Sequence, residues 1–512
     1  MLDAGDEIWR FQVGSTDGDD VVNGVSASED GSFFLAGFTE GSFDGDIEND
    51  GFKDMVVAKL DSDGLLLWSW QDGTESSDML LSAAATDDGG VVVGGSTLGD
   101  YNGVDNQGSR DFVAIKLNSV GAVEWRWQEG TEGDEEIEAC STTADGNVVL
   151  AGFTNGDWES VGSGEAEVMA VKLDVADGTV LWRYQAGASN ASVIGWGAAA
   201  RADGSIVLAG STEGDWNEEL VGTRDFMAVA LDVDGEELWR WQDGVKGNDS
   251  IITGISVLWD KSIVLVGHTE GDYANENQGG RDFVVVKLTA DGDLDWNLQD
   301  GTQYNDFFRG AATGIDGTSA IIAGYTYGTW ADTNNDEGDY SDFVGMSLDG
   351  NGSILWTYQS GTTQGNDLYG VAVRPDGAAL LAGSTDGEFS ETANATVYND
   401  FAGVLIATGS ISVAVNSSSS SSTSSDSAPL EPIIGGSLAG VVVLLISVIL
   451  LLKRRAKKGK GVADYPTLAA AVSSDAAGGG VAYPTMIPEA DNGSTSSPSS
   501  PPAYSSNQTH SV

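Results

Sequence analysis

The chain reads as an all-β protein: a seven-bladed β-propeller of four-stranded antiparallel blades, followed by a stalk, one transmembrane helix and a disordered tail. Three landmarks recurring in fixed order predict the propeller. Trp-x-aromatic-Gln opens at Trp9, Trp68, Trp125, Trp182, Trp239 and Trp356, with a looser copy at Trp296 where Leu298 fills the aromatic slot; successive copies lie 57 to 60 residues apart. Gly-x-Thr-x-Gly recurs around Thr39, Thr97, Thr154, Thr212, Thr269, Thr326 and Thr385. An acid heading an apolar run recurs at Asp54, Asp111, Glu167, Asp225, Asp282, Asp342 and Asp400. A constant period of this length marks a repeat architecture, and four short strands per period form a propeller blade.

One unit shows the strands. Residues 80–85 and 91–97 are apolar runs joined by Asp87-Asp88-Gly89, a hairpin signal. A polar loop, 101–110, leads to a third run, 112–117, and then to a fourth, 122–128. In the fourth the Trp and the aromatic lie two apart and share a strand face, while the Gln points the other way. The Asp-Gly turn recurs in the other units, with Trp259-Asp260-Lys261 as the exception. The chain begins with an orphan Trp strand, 8–12, and the last unit stops at its third strand, 401–406. Pairing these two strands completes the last blade and removes the open sheet edges; residues 411–415 are a rival for that place. Loops after the second and fourth strands share one face. Several second-to-third loops are long and acidic (43–53, 331–341 and 389–399), which places a ligand on that face.

At this point Gly95-Ser96-Thr97, then Asp111-Phe112-Val113-Ala114-Ile115-Lys116-Leu117, then Gly121 and Trp125 resemble the bacterial-type β-propeller repeat called SBBP. The resemblance covers roughly residues 1–408 and implies a propeller with no single activity. The Trp-bearing outer strands are also similar, more weakly, to quinoprotein-like propellers, which would imply a cofactor-binding or enzymatic alternative.

Composition narrows the function. There are 23 Lys and Arg against 79 Asp and Glu; six of the basic and four of the acidic residues follow Leu452, leaving the preceding body at −58. Such a body repels nucleic acid and anionic membrane surfaces and suits cations, basic partners or a salty medium. Cys140 is the single cysteine and cannot form an internal disulfide; in a strand it serves as a small apolar residue. Of the two histidines, His268 takes a slot held elsewhere by Phe, Ser or Tyr, and reads as strand filling. No nucleophile–base pair or phosphate-binding loop stands out, so the expectation is a propeller that binds rather than catalyses.

Two sets of residues are candidates for a site. Asp44, Asp46 and Asp50, with Glu48, crowd oxygen ligands at a spacing that suits Ca²⁺, although the pattern is not an EF-hand; Asn334, Asn335, Asp336 and Asp339 form a similar cluster. Solvated acidic loops are the alternative. The pairs Asp100–Tyr101, Asp157–Trp158, Asp215–Trp216 and Asp272–Tyr273 place an aromatic beside an acid, fit to stack on and hydrogen-bond a sugar, or else to pack between blades.

After residue 415 the composition changes. Residues 416–432 are a Ser/Thr-rich stalk, 433–452 are 20 residues without a charge, and Lys453, Arg454, Arg455, Lys457, Lys458 and Lys460 follow. The uncharged run is long enough to span a bilayer, and the basic cluster places the tail, 453–512, in the cytoplasm and the 1–415 propeller outside. Met1–Asp6 lacks the basic start and apolar run of a signal peptide, so the expectation is a sequence truncated at its start. Outside, the sequons at Asn190, Asn248, Asn351 and Asn394 are open to glycosylation. In the tail, Tyr465-Pro466-Thr467-Leu468 and Tyr483-Pro484-Thr485-Met486 resemble tyrosine-based sorting signals, and Pro501-Pro502-Ala503-Tyr504 resembles a WW-domain ligand. The expectation is a type I protein of the cell or endosomal membrane, with an extracellular or lumenal propeller that binds a protein or glycan and a tail that meets sorting adaptors and WW-domain proteins. The alternatives are an enzyme propeller or a structural surface protein without a specific ligand.

Overall fold

The computed structural model describes residues 3–43, 49, 51–158, 165–330, 340–390 and 398–409. Met1–Ser417 fall in one compact unit. Within it, seven four-stranded antiparallel sheets form the blades. Blade one starts at its inner edge with Asp20–Ala27 and ends at its outer edge with Leu66–Asp72. The inner strands of blades two to seven are Asp78–Ala85, Glu135–Thr142, Val193–Ala200, Ser250–Val257, Asp306–Thr313 and Asn366–Val373. Each packs against the inner strands on both sides, and blade seven returns to blade one, so the ring is closed.

The core lies in the seams between blades. Phe33, Leu35 and Val56 of blade one, for example, pack with Leu380, Phe401 and Leu405 of blade seven. Second and third strands such as Phe33–Thr39 and Asp54–Leu60 are buried along their whole length. Both faces meet a neighbouring blade, so these strands read as continuous apolar runs rather than alternating ones.

Closure joins the two ends of the ring, as the orphan strand implies. Glu7–Val13 pairs antiparallel with Asp400–Ile406, from Glu7 opposite Ile406 to Val13 opposite Phe401. The turn that joins third and outer strands elsewhere is here split between chain ends. In blade one, Asp61 N donates to Leu65 O at 2.9 Å and Gly64 N to Asp61 O at 3.1 Å; at the junction Ala407 N donates to Asp6 O at 2.9 Å and Gly5 N to Ala407 O at 2.8 Å. Gly5 has φ +92°, as Gly64 has +80°, the left-handed conformation that such a turn needs. The chain therefore enters and leaves the ring at one turn, on the face opposite the second-to-third loops. The rival segment, 411–415, and the stretch 433–452 lie outside the described residues; among the described residues no helix is long and apolar enough to cross a membrane.

Each landmark has a physical task. Gln71 Nε2 donates to Asp54 Oδ2 at 2.9 Å and Gly41 O at 3.1 Å, while its Oε1 accepts from Phe43 N at 3.0 Å. The same three partners recur in every blade, up to Gln12 with Asp400, Gly387 and Phe389 in the closing one. The outer-strand Gln thus ties the acid that heads the third strand to the last glycine of Gly-x-Thr-x-Gly and to the aromatic just beyond it. The outer-strand Trp reaches the next blade: Trp68 Nε1 donates to Ser119 O at 3.1 Å, and its ring covers Gly121 so closely that a Cβ there would lie 2.9 Å from it. The Thr turns inward. Thr97 Oγ1 donates to Asp78, and Thr154 Oγ1 to Glu135 at 3.0 Å. This explains why the inner strand of blade two starts at Asp78, two residues before its apolar run: the carboxylate is fully buried yet satisfied by Thr97 and Thr74.

Candidate functional site: the central channel

The seven inner strands share an irregularity. Each carries a bulge at its fourth residue, seen as a register shift between Val22 and Gly24, Leu80 and Ser82, Ile137 and Ala139, Gly195 and Gly197, Ile252 and Gly254, Phe308 and Gly310, and Leu368 and Gly370. A bulge re-aims a side chain. The bulged residues are Asn23, Leu81, Glu138, Trp196, Thr253, Arg309 and Tyr369, and all line one central cavity of about 310 Å³. They are seven different residue types at one repeat position, whereas the glycine on the second strand beside the bulge is the same in all blades. Its invariance within the chain has a cause: a Cβ at Gly37, Gly95 or Gly324 would lie 1.8 to 1.9 Å from the carbonyl oxygen of Val21, Met79 or Phe307.

Two ring members are spent on the frame. Asn23 Nδ2 donates to Leu80 O at 2.9 Å and Thr253 Oγ1 to Phe308 O at 2.6 Å, each bridging to the next blade. Serine hydroxyls do the same around the ring, as Ser82 Oγ accepts from Cys140 N at 2.8 Å. Cys140 lines the cavity, and burial pushes its thiol up to about 12, so it is not a nucleophile at neutral pH.

Charge in the channel is sparse. Burial first, and then the neighbouring Glu136, push the Glu138 carboxyl up to about 8, so at neutral pH it is largely protonated. Arg309 faces it from blade six. Its Nη2 donates to Tyr325 Oη at 3.3 Å, its guanidinium lies 5.6 Å from the Phe307 ring centre, and its buried Nε has no partner among the described residues. His268 packs edge-on against Phe307 at 5.0 Å. Burial, then Arg309, Arg281 and Arg224, push it down to about 3, so it is a neutral packing group. Among the described residues no three His, Cys, Asp or Glu side chains converge as metal ligands.

The residues singled out from the sequence take other places. Asp100, Asp157, Asp215 and Asp272 are exposed on the loop face. The aromatic after each turns inward and packs between blades, the second of the two roles expected of it. Tyr101 and Trp216 are 3% and 5% exposed, and Trp158 and Tyr273 lie against Phe112 and Phe226 at 5.2 and 5.1 Å. The physical reason is the blade Gln, whose Oε1 accepts from each aromatic's backbone N and draws the ring into the seam. Their polar ends are used there as well: Tyr101 Oη donates to Asp72 at 2.9 Å, Tyr273 Oη to Asp243 at 2.9 Å and Trp158 Nε1 to Glu129 at 3.1 Å. Asn190 and Asn351 are exposed and Asn248 is half-buried. Asp44, Asp46, Asp50, Asn394, Tyr465, Leu468, Tyr483, Met486, Pro501, Pro502 and Tyr504 lie outside the described residues. The bulge ring was not singled out from the sequence; its signal was present as the position of the repeat that never settles on one residue type.

No family model matches the chain, and no curated protein matches it. Among solved structures it is similar to BamB from Moraxella catarrhalis, with 13% identity, a TM-score of 0.38, and coverage of 78% of this chain and 99% of that one. It is also similar to a quinohemoprotein alcohol dehydrogenase from Comamonas testosteroni, with 11% identity, a TM-score of 0.41, and coverage of 86% and 80%. A third is Sqt1 from Chaetomium thermophilum, with 12% identity, a TM-score of 0.40, and coverage of 75% and 97%. Some of these are named as enzymes and others are not. No residue, cofactor or activity is carried over from likeness this distant.

The buried acids have a measurable consequence. Burial raises Glu138 to about 8 and Asp20 to about 7, and raises Asp78, Glu135, Glu136, Asp306 and Asp367 in the same direction. A carboxyl whose folded value lies above its unfolded one stabilises the fold fully below the unfolded value, near 4, and that contribution is lost as pH rises through the folded values near 7 and 8. Asp88 and Asp145 run the other way: partial burial raises them, but hydrogen bonds from Lys116, Thr86 and Gly90 and from Lys172, Thr143 and Asn147 together outweigh it and lower them, so their contribution is lost only below pH 4. Between pH 5 and 8.5 the first group outweighs His268, whose lowered value adds stability as pH rises only up to its unfolded value of about 6.5. Stability is expected to fall with rising pH by on the order of 3 kcal/mol. Thermal unfolding at pH 5, 7 and 8.5 checks this, and a midpoint that stays level or rises over that range contradicts it.

Proposed function

We infer that the propeller is a ligand-binding module carried outside a membrane by the apolar stretch 433–452, and that it takes its ligand in the central channel. One observation carries the binding reading: seven different side chains stand at one bulged position around a cavity, in a chain whose other landmarks repeat. A frame needs the repeated residues, whereas recognition needs different groups at fixed places. The membrane placement rests on the stalk, the uncharged run and the basic cluster after it. On the same reading Tyr465, Leu468, Tyr483 and Met486 serve sorting, and Pro501, Pro502 and Tyr504 bind a WW domain.

The test is display of the full chain, with an added signal peptide, on cells that glycosylate. Glycosidase treatment is expected to increase gel mobility through the sequons at Asn190 and Asn351. Displayed wild type is expected to capture probes from a library of glycans, peptides and small metabolites. A variant with Leu81→Ala, Trp196→Ala and Tyr369→Ala should reach the surface equally and lose that capture. Absence of a mobility shift overturns the membrane placement, and capture that survives in the ring variant overturns the channel as the site.

A further inference from the structure

We propose that the channel binds a small organic carboxylate of about amino-acid size, with its carboxylate on Arg309 and its body against Trp196 and Tyr369. This rests on the channel being the binding site and names the ligand class.

The observation that carries it is an arginine without an ion pair: Asp367, which acts on it through space, is raised by burial and accepts a hydrogen bond from Ser341 Oγ at 2.8 Å instead. The chain has 79 Asp and Glu against 23 Lys and Arg, and eight of the ten described arginines form an ion pair. Among the described residues, Arg201 and Arg309 do not. Arg201 is 5% exposed, its Nε and Nη2 also lack partners among the described residues, and its guanidinium lies against Trp239 rather than in the channel. Arg309 instead lines the channel, with a buried Nε that lacks a partner among the described residues. A buried N–H donor left unpaired costs about 1–3 kcal/mol, and of the orphaned arginine donors the one on Arg309 lines the cavity, where an acceptor from outside can reach it. Guanidinium geometry suits a carboxylate, which accepts two parallel N–H bonds. Phe307 and Tyr325 flank Arg309, at 5.6 and 5.9 Å from the guanidinium carbon, and hold it in one place.

The rest of the channel agrees in size and charge. Its volume of about 310 Å³ is at the low end for small-molecule pockets, roughly 300–1,000 Å³. That excludes a folded partner or a long glycan from the channel itself. Trp196 and Tyr369 offer rings to an apolar body. Glu138 is the acid that faces the cavity. The charged groups facing it are Glu136 on its own strand, Arg110 at the head of the third strand of blade two, and Arg309 across the ring. While protonated, Glu138 leaves the channel with the single positive charge of Arg309, and once ionised it competes with a bound carboxylate for that charge.

The test is calorimetric titration of the full chain in detergent with benzoate and 3-phenylpropionate, against benzamide and 3-phenylpropionamide. The acids are expected to bind, and each amide to bind at least tenfold more weakly. Arg309→Gln should weaken the acids at least tenfold, while Arg309→Lys should retain part of the affinity because charge survives without the fork. Affinity for the acids should fall as pH rises through about 8, and Glu138→Gln should flatten that fall. Equal binding of acid and amide, or an unchanged affinity in Arg309→Gln with wild-type thermal unfolding, overturns the proposal. If no acid binds while displayed cells still capture a library probe that the ring variant loses, the ligand class is wrong and the channel reading stands. If capture also survives in the ring variant, the channel reading falls with it.

Discussion

Deletion of residues 1–13 is expected to open the ring and turn the protein into an aggregating species. The strand Glu7–Val13 is the outer strand of blade seven, and nothing else among the described residues takes its place. Its loss removes Phe11, which is 6% exposed in the seam between blades one and seven, and Gln12, which donates to Asp400 at 2.7 Å. It also removes Trp9, whose indole donates to Ser62 O in blade one. Most of all it leaves Asp400–Ile406, a fully buried strand, with an open row of N–H and C=O groups. An unpaired apolar edge is a template for pairing with another chain. Size-exclusion chromatography should therefore show loss of the monomer. A synthetic peptide of residues 3–14, added during refolding, should restore it by supplying the strand from outside. A monomeric deletion variant with the wild-type unfolding midpoint would show that the clasp is dispensable.

The second large effect is expected from a single methyl group. Gly324→Ala places a Cβ 1.8 Å from the carbonyl oxygen of Phe307, a backbone atom that no rotamer change can move aside. The bulge on the inner strand brings that oxygen in, so the variant either breaks the bulge or shifts the strand pair. The cost is expected to be about 3 kcal/mol or more, at the top of the range for overpacked sites. Because Arg309 stands on the same bulge, a folded remnant should also lose the channel geometry. Gly409→Ala, where an added Cβ meets nothing within 4 Å, is the control and should unfold like wild type. Equal midpoints for the two variants in chemical denaturation would refute the steric account.

Much of the architecture was legible because its signals are local and repeated. Asp-Gly turns such as Asp88-Gly89, the apolar runs they join and the period of the Trp strands give strand number and blade number together, and the orphan Trp9 strand points to its own partner. The loop-face aromatics were legible as a pattern but not as a role. Tyr101 beside Asp100 has the same sequence whether it meets a sugar or packs on a neighbour. Gln128, which accepts from its backbone N at 2.9 Å, settles the matter from a different strand. The bulge ring was less legible still. An inner strand such as Val193–Ala200 alternates in and out over its first half, and one extra residue at Trp196 changes which side chains meet the channel without leaving a mark in the strand's own composition.

By itself, then, the sequence determined the class, the count and the closure of the ring: these follow from hydrogen-bonding period, turn chemistry and the pairing of edges, all set within one repeat. Only the tertiary structure decided what each repeated residue is for and where the ring stops repeating. Gln71 reaches Gly41, Trp68 covers Gly121 in the next blade, and the charge of Arg309 acts on Glu138 across the channel. Those contacts join residues far apart in the chain, and burial and charge act through distance in space, which no local pattern records.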